Sequence, residues 1–358
     1  MKSDDIHNFS SQPLWGKRVS DTLPHVIAGP CSAESRSQVI ETAKALKAIG
    51  VSTFRAGIWK PRTYPGHFEG QGERALPWLV EAREETGMYI GTEVGLAKHV
   101  EATLKYDIDF VWIGARTTSS PFAIQEIAKA LQGTGIPILI KNPPAPSMDI
   151  WMGAIERFIE AGHTRIALIH RGFDIGLPRA LRNAPLWEMT EEFRREIPQV
   201  PIYLDPSHIA GKSELIKPFL QIAIALKYDG VMVESHIHPN DALTDKAQQI
   251  TPYQLSQCID STLQKPSGNS DTGTLQLLRD EMNGIDERLM LLLSQRRKLS
   301  QKIGEVKAEM GVTPFQEGQY QYKIGQLAQL ANTYDIPVEL VRSLYEAIHN
   351  DSVSIQDK

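Results

Sequence analysis

The sequence has few cysteines, no long apolar run and no excess of charge of either sign. Among its 358 residues only Cys31 and Cys258 are cysteines, too few for a disulfide scaffold of this size. No apolar run approaches the roughly 18 residues that a membrane helix needs, and the first residues, MKSDDIHNFSSQPLWGK, lack the apolar core of a signal peptide. We therefore expect a cytoplasmic protein that works in a reducing compartment without a membrane partner.

The charge balance also excludes one class of partner. The chain carries 38 Lys and Arg against 43 Asp and Glu, a formal net charge of −5. A global basic field for binding nucleic acid is therefore absent, and any anionic ligand must be held by cations that cluster locally. Apolar residues make up 41% and charged residues 23%, the composition of a globular protein.

The first 260 residues alternate strand-like and helix-like patterns. Eight short apolar runs occupy residues 25–29, 52–56, 88–93, 110–114, 137–141, 165–170, 201–205 and 230–234. Their continuous apolar character is typical of strands buried on both faces of a parallel sheet. Helical patterns such as 35–49, 121–131, 148–161 and 213–226 lie between them. An α/β fold is predicted: a (β/α)8 TIM barrel over residues 20–263, after an N-terminal arm at 1–19. A doubly wound open sheet is less favoured, because no strand is followed by a GxGxxG turn.

The pattern changes after the barrel. Residues 264–274 (QKPSGNSDTGT) are typical of a linker. Residues 275–358 contain no strand-like run and predict an all-α domain with helices near 275–310, 318–334 and 337–353. Because three helices enclose a small core, oligomerisation would stabilise this domain.

Three predicted strand ends carry residues that suit a borderline divalent metal. They are Cys31, His208, Glu234 and Asp245. A thiolate, an imidazole and carboxylates together favour an ion of the Mn, Fe, Co or Zn class. Taken singly, each residue is more simply explained as part of the core, but their common position at one barrel rim favours a metal site. His236 and His238 offer an alternative pair and are assigned to the surroundings of the metal.

Cations collect at the ends of other strands on the same rim. They are Arg55, Lys60, Arg62, Arg116, Lys141 and Arg171. Six positive charges at one rim would repel one another unless anions lay between them, and Arg and Lys are the side chains that bind phosphates and carboxylates. The substrates are therefore predicted to carry several negative charges.

These blocks resemble a known enzyme family. GPCSAES, RAGIWKPRT, IGART, HRG and DPSH, with the spacing from Glu234 to Asp245, are similar to 3-deoxy-D-arabino-heptulosonate 7-phosphate synthases of the compact metal-dependent class. The resemblance implies condensation of phosphoenolpyruvate with erythrose 4-phosphate, the entry to the shikimate pathway and to aromatic amino acids. The related 3-deoxy-D-manno-octulosonate 8-phosphate synthases are the alternative, and Arg62 with Thr63 favours the shorter sugar.

The resemblance also implies roles for individual residues. Four are the metal ligands, namely Cys31, His208, Glu234 and Asp245, and His208 is also counted as catalytic. Phosphoenolpyruvate would be held by Arg55, Lys60, Arg116, Lys141 and Arg171. Arg62 and Thr63 would hold erythrose phosphate, and Lys60 is predicted to protonate the aldehyde oxygen.

A heptad stripe marks the long C-terminal helix. Its members are residues 275, 278, 282, 285, 289, 292, 296, 299, 303, 306 and 310. Arg296 is a charge within this apolar seam, and it either pairs with a carboxylate such as Glu317 or forms an anion site with Lys307. Arg279 lies 17 residues before Arg296, about 25 Å along a helix, so it reaches the same ligand only from an antiparallel partner helix. The pattern predicts a homodimer with shared sites.

The C-terminal segment resembles all-helical chorismate mutases. The similarity lies in LRDEMNGIDERLMLLLSQRRKLSQKIGEVK and HNDSVSIQ. It implies that the dicarboxylate chorismate contacts Arg279, Arg296, Lys307, Ser352 and Gln356. Catalysis would rest on Arg296, Lys307 and Gln356, with the last two bonding the ether oxygen as charge develops there. Gln319 and Tyr320 stand where the family usually has charged residues.

We therefore expect a bifunctional enzyme, a synthase joined to a mutase. One alternative is that the helical domain only dimerises and regulates, and another is a monomeric lyase with a structural tail. Prephenate is the expected feedback effector, because a mutase site also binds its product.

Overall fold

The computed structural model describes residues 9–16, 25–62, 64–176, 181–263, 272–313 and 316–356. The chain divides into two compact units, Met1–Arg279 and Asp280–Lys358. Across the described ranges, no helix is long and apolar enough to cross a membrane.

The first unit is a closed barrel of parallel strands. They are β1 (His25–Gly29), β2 (Thr53–Arg55), β3 (Tyr89–Val94), β4 (Phe110–Ile113), β5 (Ile138–Lys141), β6 (Ile166–His170), β7 (Ile202–Leu204) and β8 (Gly230–Glu234). Each strand pairs with the next, and β8 closes on β1 with Gly29 opposite Glu234. The prediction of a (β/α)8 barrel is confirmed, and all eight strands lie at the predicted places.

Helices surround the strands. They are α1 (Arg36–Ala48), α2 (Leu76–Thr86), α3 (Ala97–Lys105), α4 (Ala115–Thr118), α5 (Pro121–Leu131), α6 (Met148–Glu160), α7 (Trp187–Glu196), α8 (Pro206–Ala210), α9 (Ile216–Ala225) and α10 (Pro252–Leu263). Serine side chains cap α1, α5 and α6 at Ser35, Ser120 and Ser147, satisfying backbone N–H groups of the first turn. A short connection leads from a helix into each of the strands β2 to β8.

The strands separate two apolar layers. The inner layer fills the barrel and consists of Leu14, Ile27, Phe110, Trp112, Leu139, Ala167, Ile169, Tyr203 and Met232. The larger layer lies between strands and helices, with Ala28, Phe54 and Val231 among its members. Because neighbouring residues of a strand face opposite layers, both faces are apolar, and the sequence shows continuous rather than alternating hydrophobicity.

The N-terminal arm closes the amino end of the barrel. Trp15 donates a hydrogen bond from Nε1 to the Tyr203 hydroxyl at 2.8 Å and packs against His25 and Tyr89. Leu14 beside it is buried in the inner core. The amino end is thus filled by packing, which leaves the carboxyl ends of the strands for chemistry. Residues 1–8 and 17–24 of the arm region lie outside the described residues.

The second unit consists, within its described residues, of long helices. They are the main part of α11 (Thr272–Glu309), then α12 (Glu317–Thr333) and α13 (Val338–Gln356). Helix α11 begins at Thr272, inside the segment predicted as a linker, because nothing in residues 272–274 prevents helix formation. Ile324, Leu327 and Ala331 of α12 are its buried apolar residues. The remaining predicted linker residues, 264–271, lie outside the described part of the chain.

Candidate active sites

One cavity at the carboxyl end of the barrel gathers nearly all of the predicted synthase residues. Its volume is about 430 Å³. The predicted residues that line it are Cys31, Arg55, Lys60, Arg62, Arg116, Lys141, Arg171, His208, Glu234 and Asp245. Residues from β2, β3, β5 and β8 and the loops after the strands converge here, as the barrel topology requires. Thr63, the other predicted member, lies outside the described residues.

Three predicted metal ligands form a compact group. The ligand atoms of Cys31, Glu234 and Asp245 all lie within 4.8 Å of one another. Cys31 and Glu234 are buried, and Cys31 Sγ is 3.3 Å from Asp245 Oδ2. His208 stands at the edge of this group, with Nε2 3.8 Å from Glu234 Oε1. The thiol and two carboxylates match the donor types that borderline divalent metals prefer.

A buried ion pair joins Glu234 of this compact group to Arg55, one of the predicted anion-binding cations. Arg55 donates from Nη2 to Glu234 Oε1 at 3.3 Å, and its guanidinium lies 4.7 Å from the centre of the Trp112 ring. Arg55 Nε and Nη1 are buried and have no hydrogen-bond partner within the described structure. Because an unpaired buried guanidinium N–H is costly, these two groups are poised to bind an anion in the cavity.

Lys60 reaches the same group from the β2 loop. Its Nζ lies 3.3 Å from Cys31 Sγ. A Cβ atom at position 57 would stand 2.6 Å from Lys60 Nζ and 2.7 Å from the Cys31 carbonyl oxygen, so only glycine fits between them. The Gly57 of RAGIWK therefore permits the close approach of Lys60 to Cys31.

Asp205 positions two further functional side chains. It is fully buried, receives a hydrogen bond from Lys141 Nζ at 2.8 Å, and lies 2.8 Å from His208 Nδ1. Its second oxygen caps α8 by accepting from the His208 N–H at 3.0 Å. This explains the DPSH motif, in which the aspartate fixes the histidine that follows three residues later.

Burial and charge set the protonation of the site. Burial raises the pKa of the Cys31 thiol to about 12, so this thiol is protonated at neutral pH in the protein alone. Burial lowers the pKa of His208, partly offset by Asp205, which favours the neutral imidazole that metals bind. For Lys60, burial acts to lower the pKa, but Cys31 and Glu93 outweigh it and the pKa rises. Lys60 is therefore a charged proton donor at neutral pH.

The remaining predicted cations line the cavity, and backbone carbonyl groups accept hydrogen bonds from two of them. Arg62 donates from Nε to the Phe68 carbonyl at 2.8 Å, and Arg116 donates from Nη1 to the Pro61 carbonyl at 3.3 Å. Burial lowers the pKa of Arg171 to about 10, which still leaves it charged at neutral pH. Six cations in one cavity match the prediction of a multiply charged substrate pair.

The other predicted histidines take different positions. His236 is buried with its Nε2 3.9 Å from Glu34 Oε2, and it accepts at Nδ1 from the His238 N–H. His238 is exposed. Neither belongs to the compact group of ligand atoms, in keeping with their assignment outside the metal ligands.

Besides Asp205, three residues that the sequence did not indicate contact the proposed metal ligands. Arg182 donates to Asp245 Oδ1 at 3.1 Å, Gln248 donates to Glu234 Oε2 at 2.7 Å, and Gln249 accepts from the Cys31 N–H at 3.0 Å. The two glutamines are almost fully buried. Their only signal in the sequence is position shortly after Asp245, since an uncharged amide in a loop gives no indication of its partners.

The second unit brings together four predicted mutase residues. Arg296 on α11 donates to the Ser352 hydroxyl and to the Ile348 carbonyl of α13. Lys307 Nζ donates to Gln356 Oε1 at 3.1 Å. The bonds of Arg296 thus go to α13, rather than to Glu317 as one alternative expected. Arg296 and Lys307 stand about three turns apart on one face of α11, whereas Ser352 and Gln356 are about one turn apart on α13.

Close packing fixes these pairs. A Cβ atom at Gly304 would stand 2.9 Å from the Gln356 Cα, so α11 and α13 touch at a glycine. Tyr320 of α12 packs its ring against His349, with ring centres 4.3 Å apart. Arg279 is exposed near the start of α11, where its side chain is available to another molecule.

The architecture defines the class of protein. A (β/α)8 barrel whose carboxyl end carries a cationic cavity, with the Cys31, Glu234 and Asp245 thiol–carboxylate group inside it, is typical of an enzyme that acts on anionic substrates. The model for the DAHP synthetase I family matches residues 17–266, and the chain belongs to this family. A second model, chorismate mutase type II, matches residues 278–357, so the chain also carries a chorismate mutase domain.

Individual relatives agree with this assignment. The chain is 35% identical over 225 residues to a phospho-2-dehydro-3-deoxyheptonate aldolase of Thermotoga maritima, which covers 63% of this chain and 64% of that protein. The match thus spans less than two thirds of that relative. This chain is 26% identical over 238 residues to a 2-dehydro-3-deoxyphosphooctonate aldolase of Nitratidesulfovibrio vulgaris, and the match covers 62% of this chain and 84% of that relative.

A solved structure shows the same fold. The truncated form of the Thermotoga maritima 3-deoxy-D-arabino-heptulosonate 7-phosphate synthase superposes with a TM-score of 0.62 at 29% identity, covering 72% of this chain and 92% of that one. The full aldolase of the same organism gives a TM-score of 0.64 at 29% identity, covering 73% and 75%.

Proposed function

We propose that the barrel condenses phosphoenolpyruvate with erythrose 4-phosphate to form 3-deoxy-D-arabino-heptulosonate 7-phosphate. The observation that carries this proposal is the single cavity that joins six cations to the thiol–carboxylate group. The heptonate aldolase relative is more similar to this chain than the octonate one, at 35% against 26% identity. The activity for which that relative is named therefore favours the shorter sugar over the octulosonate alternative.

The residues suggest how the cations divide the substrates. Arg55, with two buried unpaired N–H groups, and Lys141, fixed by Asp205, are suited to hold the carboxylate and phosphate of phosphoenolpyruvate. Arg116 and Arg171 complete that clamp, while Arg62 on the β2 loop is placed for the sugar phosphate together with Thr63. Fixing both substrates removes translational freedom before the reaction.

Lys60 is the proposed proton donor. The methylene carbon of phosphoenolpyruvate forms a bond to the aldehyde carbon, and the aldehyde oxygen takes the Lys60 proton. Water then adds to the former enol carbon and returns one proton to Lys60. The bond from this carbon to the bridging oxygen breaks, which leaves a ketone, and the second water proton departs with the phosphate. The raised pKa of Lys60 supports this role, because the group enters the reaction protonated.

A divalent metal of the Mn, Fe, Co or Zn class fits the cavity beside Lys60. Cys31, Glu234 and Asp245 offer three donor atoms in one compact group, and His208 is the fourth proposed ligand. Such an ion acts as a Lewis acid toward a bound carbonyl oxygen. It would also favour the Cys31 thiolate, which burial alone disfavours.

The barrel proposal is tested by phosphate release. The full chain is incubated with phosphoenolpyruvate and either erythrose 4-phosphate or arabinose 5-phosphate, with and without chelator. We expect release only with the four-carbon aldehyde, loss of release with chelator, and recovery on adding Mn²⁺ or Co²⁺. Release with the five-carbon aldehyde instead would favour the octulosonate activity, and release unaffected by exhaustive chelation would contradict the metal.

We further propose that the helical domain converts chorismate to prephenate. The support is the placement of Arg296 with Ser352 and of Lys307 with Gln356 on one face of the domain. The cations match two carboxylates, and Lys307 with Gln356 is placed to stabilise charge on the ether oxygen. Gln319 and Tyr320 replace usual charges, which predicts a slower mutase rather than an inactive one.

A homodimer through α11 completes this proposal. Eight predicted seam residues with described side chains are 42% to 70% exposed in the single chain, from Ile303 to Met310. The members are Met282, Ile285, Leu289, Leu292, Leu299, Ile303, Val306 and Met310. An apolar stripe of this length favours burial against a second copy, whose Arg279 would reach the site. Sedimentation of the full chain should show a dimer, and a monomer at micromolar concentration would contradict it.

Feedback by prephenate, in the cytoplasm, is the regulatory part of the proposal. The mutase site binds its product, and the two units are joined by one chain segment. Prephenate should lower synthase activity of the full chain and leave a chain ending at residue 264 unaffected. If prephenate changes nothing in the full chain, or if the truncated chain stays sensitive, the helical domain does not regulate the barrel.

A further inference from the structure

The loop after β8 carries two adjacent glutamines that both face the proposed metal ligands. Gln248 and Gln249 are 1% and 2% exposed, unusual for amides in a loop. A buried amide must find partners for its oxygen and its NH₂ group. The partners of these two amides lie on three different segments of the barrel rim.

Gln248 connects Glu234 to the opposite loop. Its Nε2 donates to Glu234 Oε2 at 2.7 Å, and its Oε1 accepts from Arg182 Nη1. The same Arg182 nitrogen donates to Asp245 Oδ1 at 3.1 Å. The chain of bonds runs from one proposed ligand carboxylate to the other without passing through the space between them.

Gln249 connects Cys31 to the same loop. Its Oε1 accepts from the Cys31 backbone N–H at 3.0 Å, and its Nε2 donates to the Thr244 carbonyl at 2.8 Å. Thr244 precedes Asp245, whose φ of +48° lies in the left-handed region that side chains disfavour. The strained backbone of Asp245 is thus held from both sides, by Gln249 and by Arg182.

We propose that Gln248 and Gln249 are positioning residues that assemble Cys31, Glu234 and Asp245 before a metal binds. The carboxylates of Glu234 and Asp245, which lie within 4.8 Å of each other, repel when ionised, so this pair would spread apart without external restraints. Neutral amides supply that restraint without competing for the ligands with a charge. The inference rests on the proposed metal site, and it concerns how the ligands are held in place rather than the reaction.

The physical consequence is a metal affinity that depends on residues that touch no metal. Hydrogen bonds to ligating groups fix their orientation, and their removal typically weakens metal binding by roughly 10- to 100-fold. Methionine is close to glutamine in length and volume and makes no such bonds. Gln248→Met and Gln249→Met therefore remove the restraint while filling the same space.

Cobalt binding to the full chain tests the proposal. The apo protein is prepared with chelator and titrated with Co²⁺, and the absorption of a cobalt–thiolate bond reports Cys31 directly. We expect wild type to show this band, and each methionine variant to need roughly 10- to 100-fold more cobalt. Gln38→Met is the matched control, because Gln38 is also buried and bonds to the backbone of Ser32 and Glu34. It should bind cobalt as wild type does.

The outcomes separate the possible errors. Wild-type affinity in both methionine variants would overturn the positioning role, and so would an equal loss in Gln38→Met. Wild type that binds no cobalt would contradict the metal proposal itself and this inference with it. Should a buried variant fail to fold, Arg182→Met provides the second test, because the Arg182 side chain is 42% exposed. It is expected to weaken cobalt binding in the same direction, and unchanged binding would count against the proposal.

Discussion

Replacing His170 should reduce the sensitivity of the barrel to acid. His170 ends β6 and is fully buried. Its Nε2 bonds to the Pro185 carbonyl, which only accepts, so the proton lies on Nε2 and Nδ1 accepts from the Tyr228 hydroxyl at 2.8 Å. The bond from Tyr228 requires the neutral ring, because Nδ1 cannot accept a hydrogen bond once it carries a second proton.

The magnitude follows from the pKa. Burial lowers the pKa of His170 to about 4, against an ordinary value of 6.5. Because the folded pKa is the lower one, the unfolded chain binds the proton first, and stability is full above pH 6.5 and falls as the pH drops toward 4. Between pH 7 and pH 5 this histidine removes about 2 kcal/mol from the free energy of unfolding.

The assay uses a property of the sequence. All six tryptophans, at positions 15, 59, 78, 112, 151 and 187, lie in the barrel unit, so tryptophan fluorescence follows its unfolding alone. Wild type and His170→Gln are unfolded in urea at pH 7 and pH 5, with chelator in all samples. The variant should be about 1–3 kcal/mol less stable at pH 7, since it disturbs two buried hydrogen bonds. The difference in the free energy of unfolding between wild type and His170→Gln should narrow by about 2 kcal/mol at pH 5.

Two comparisons make the result decisive. Burial also lowers the pKa of His25 to about 4, but His25 is present in both proteins and its effect cancels in the difference. Replacing the exposed His238 with Gln controls for the loss of a histidine as such. A gap between wild type and His170→Gln that is the same at both pH values would refute the reasoning.

Three further changes test the two candidate sites. Arg296→Ala should lower chorismate turnover by roughly 100-fold, the loss of about 3 kcal/mol from a charged contact, with phosphate release by the barrel unchanged; retained turnover would place the mutase site elsewhere. Asp205→Asn breaks the buried pair with Lys141 and should cost about 3–5 kcal/mol in urea unfolding, together with a raised KM for phosphoenolpyruvate; an unchanged KM would separate Lys141 from that substrate. Gly57→Ala places a Cβ atom 2.6 Å from Lys60 Nζ, so kcat of the synthase should fall while circular dichroism stays the same, and normal kcat would show that Lys60 tolerates displacement.

The fold could be predicted well because its signals are local. Continuous apolar runs identified all eight strands, since burial on both faces of a strand is recorded in consecutive residues, and helical patterns identified four of the helices between them. The start of α11 at Thr272 was missed by three residues, because threonine and glycine there have low helix propensity and are typical of a linker. Position at a strand end placed ten site residues in one cavity, as parallel topology requires.

The sequence by itself determined which residue types stand at the rim, the cationic character of the substrates' cavity and the division into a barrel and a helical domain. Only the tertiary structure decided which atoms meet. It placed Lys60 beside Cys31 and made Asp205 a shared partner of Lys141 and His208. It also brought Arg182, Gln248 and Gln249 into contact with the proposed metal ligands. The physical reason is that these partners are up to 218 residues apart in the chain. Whether a hydrogen bond forms depends on differences in distance of a few tenths of an ångström, which no local pattern of residues records.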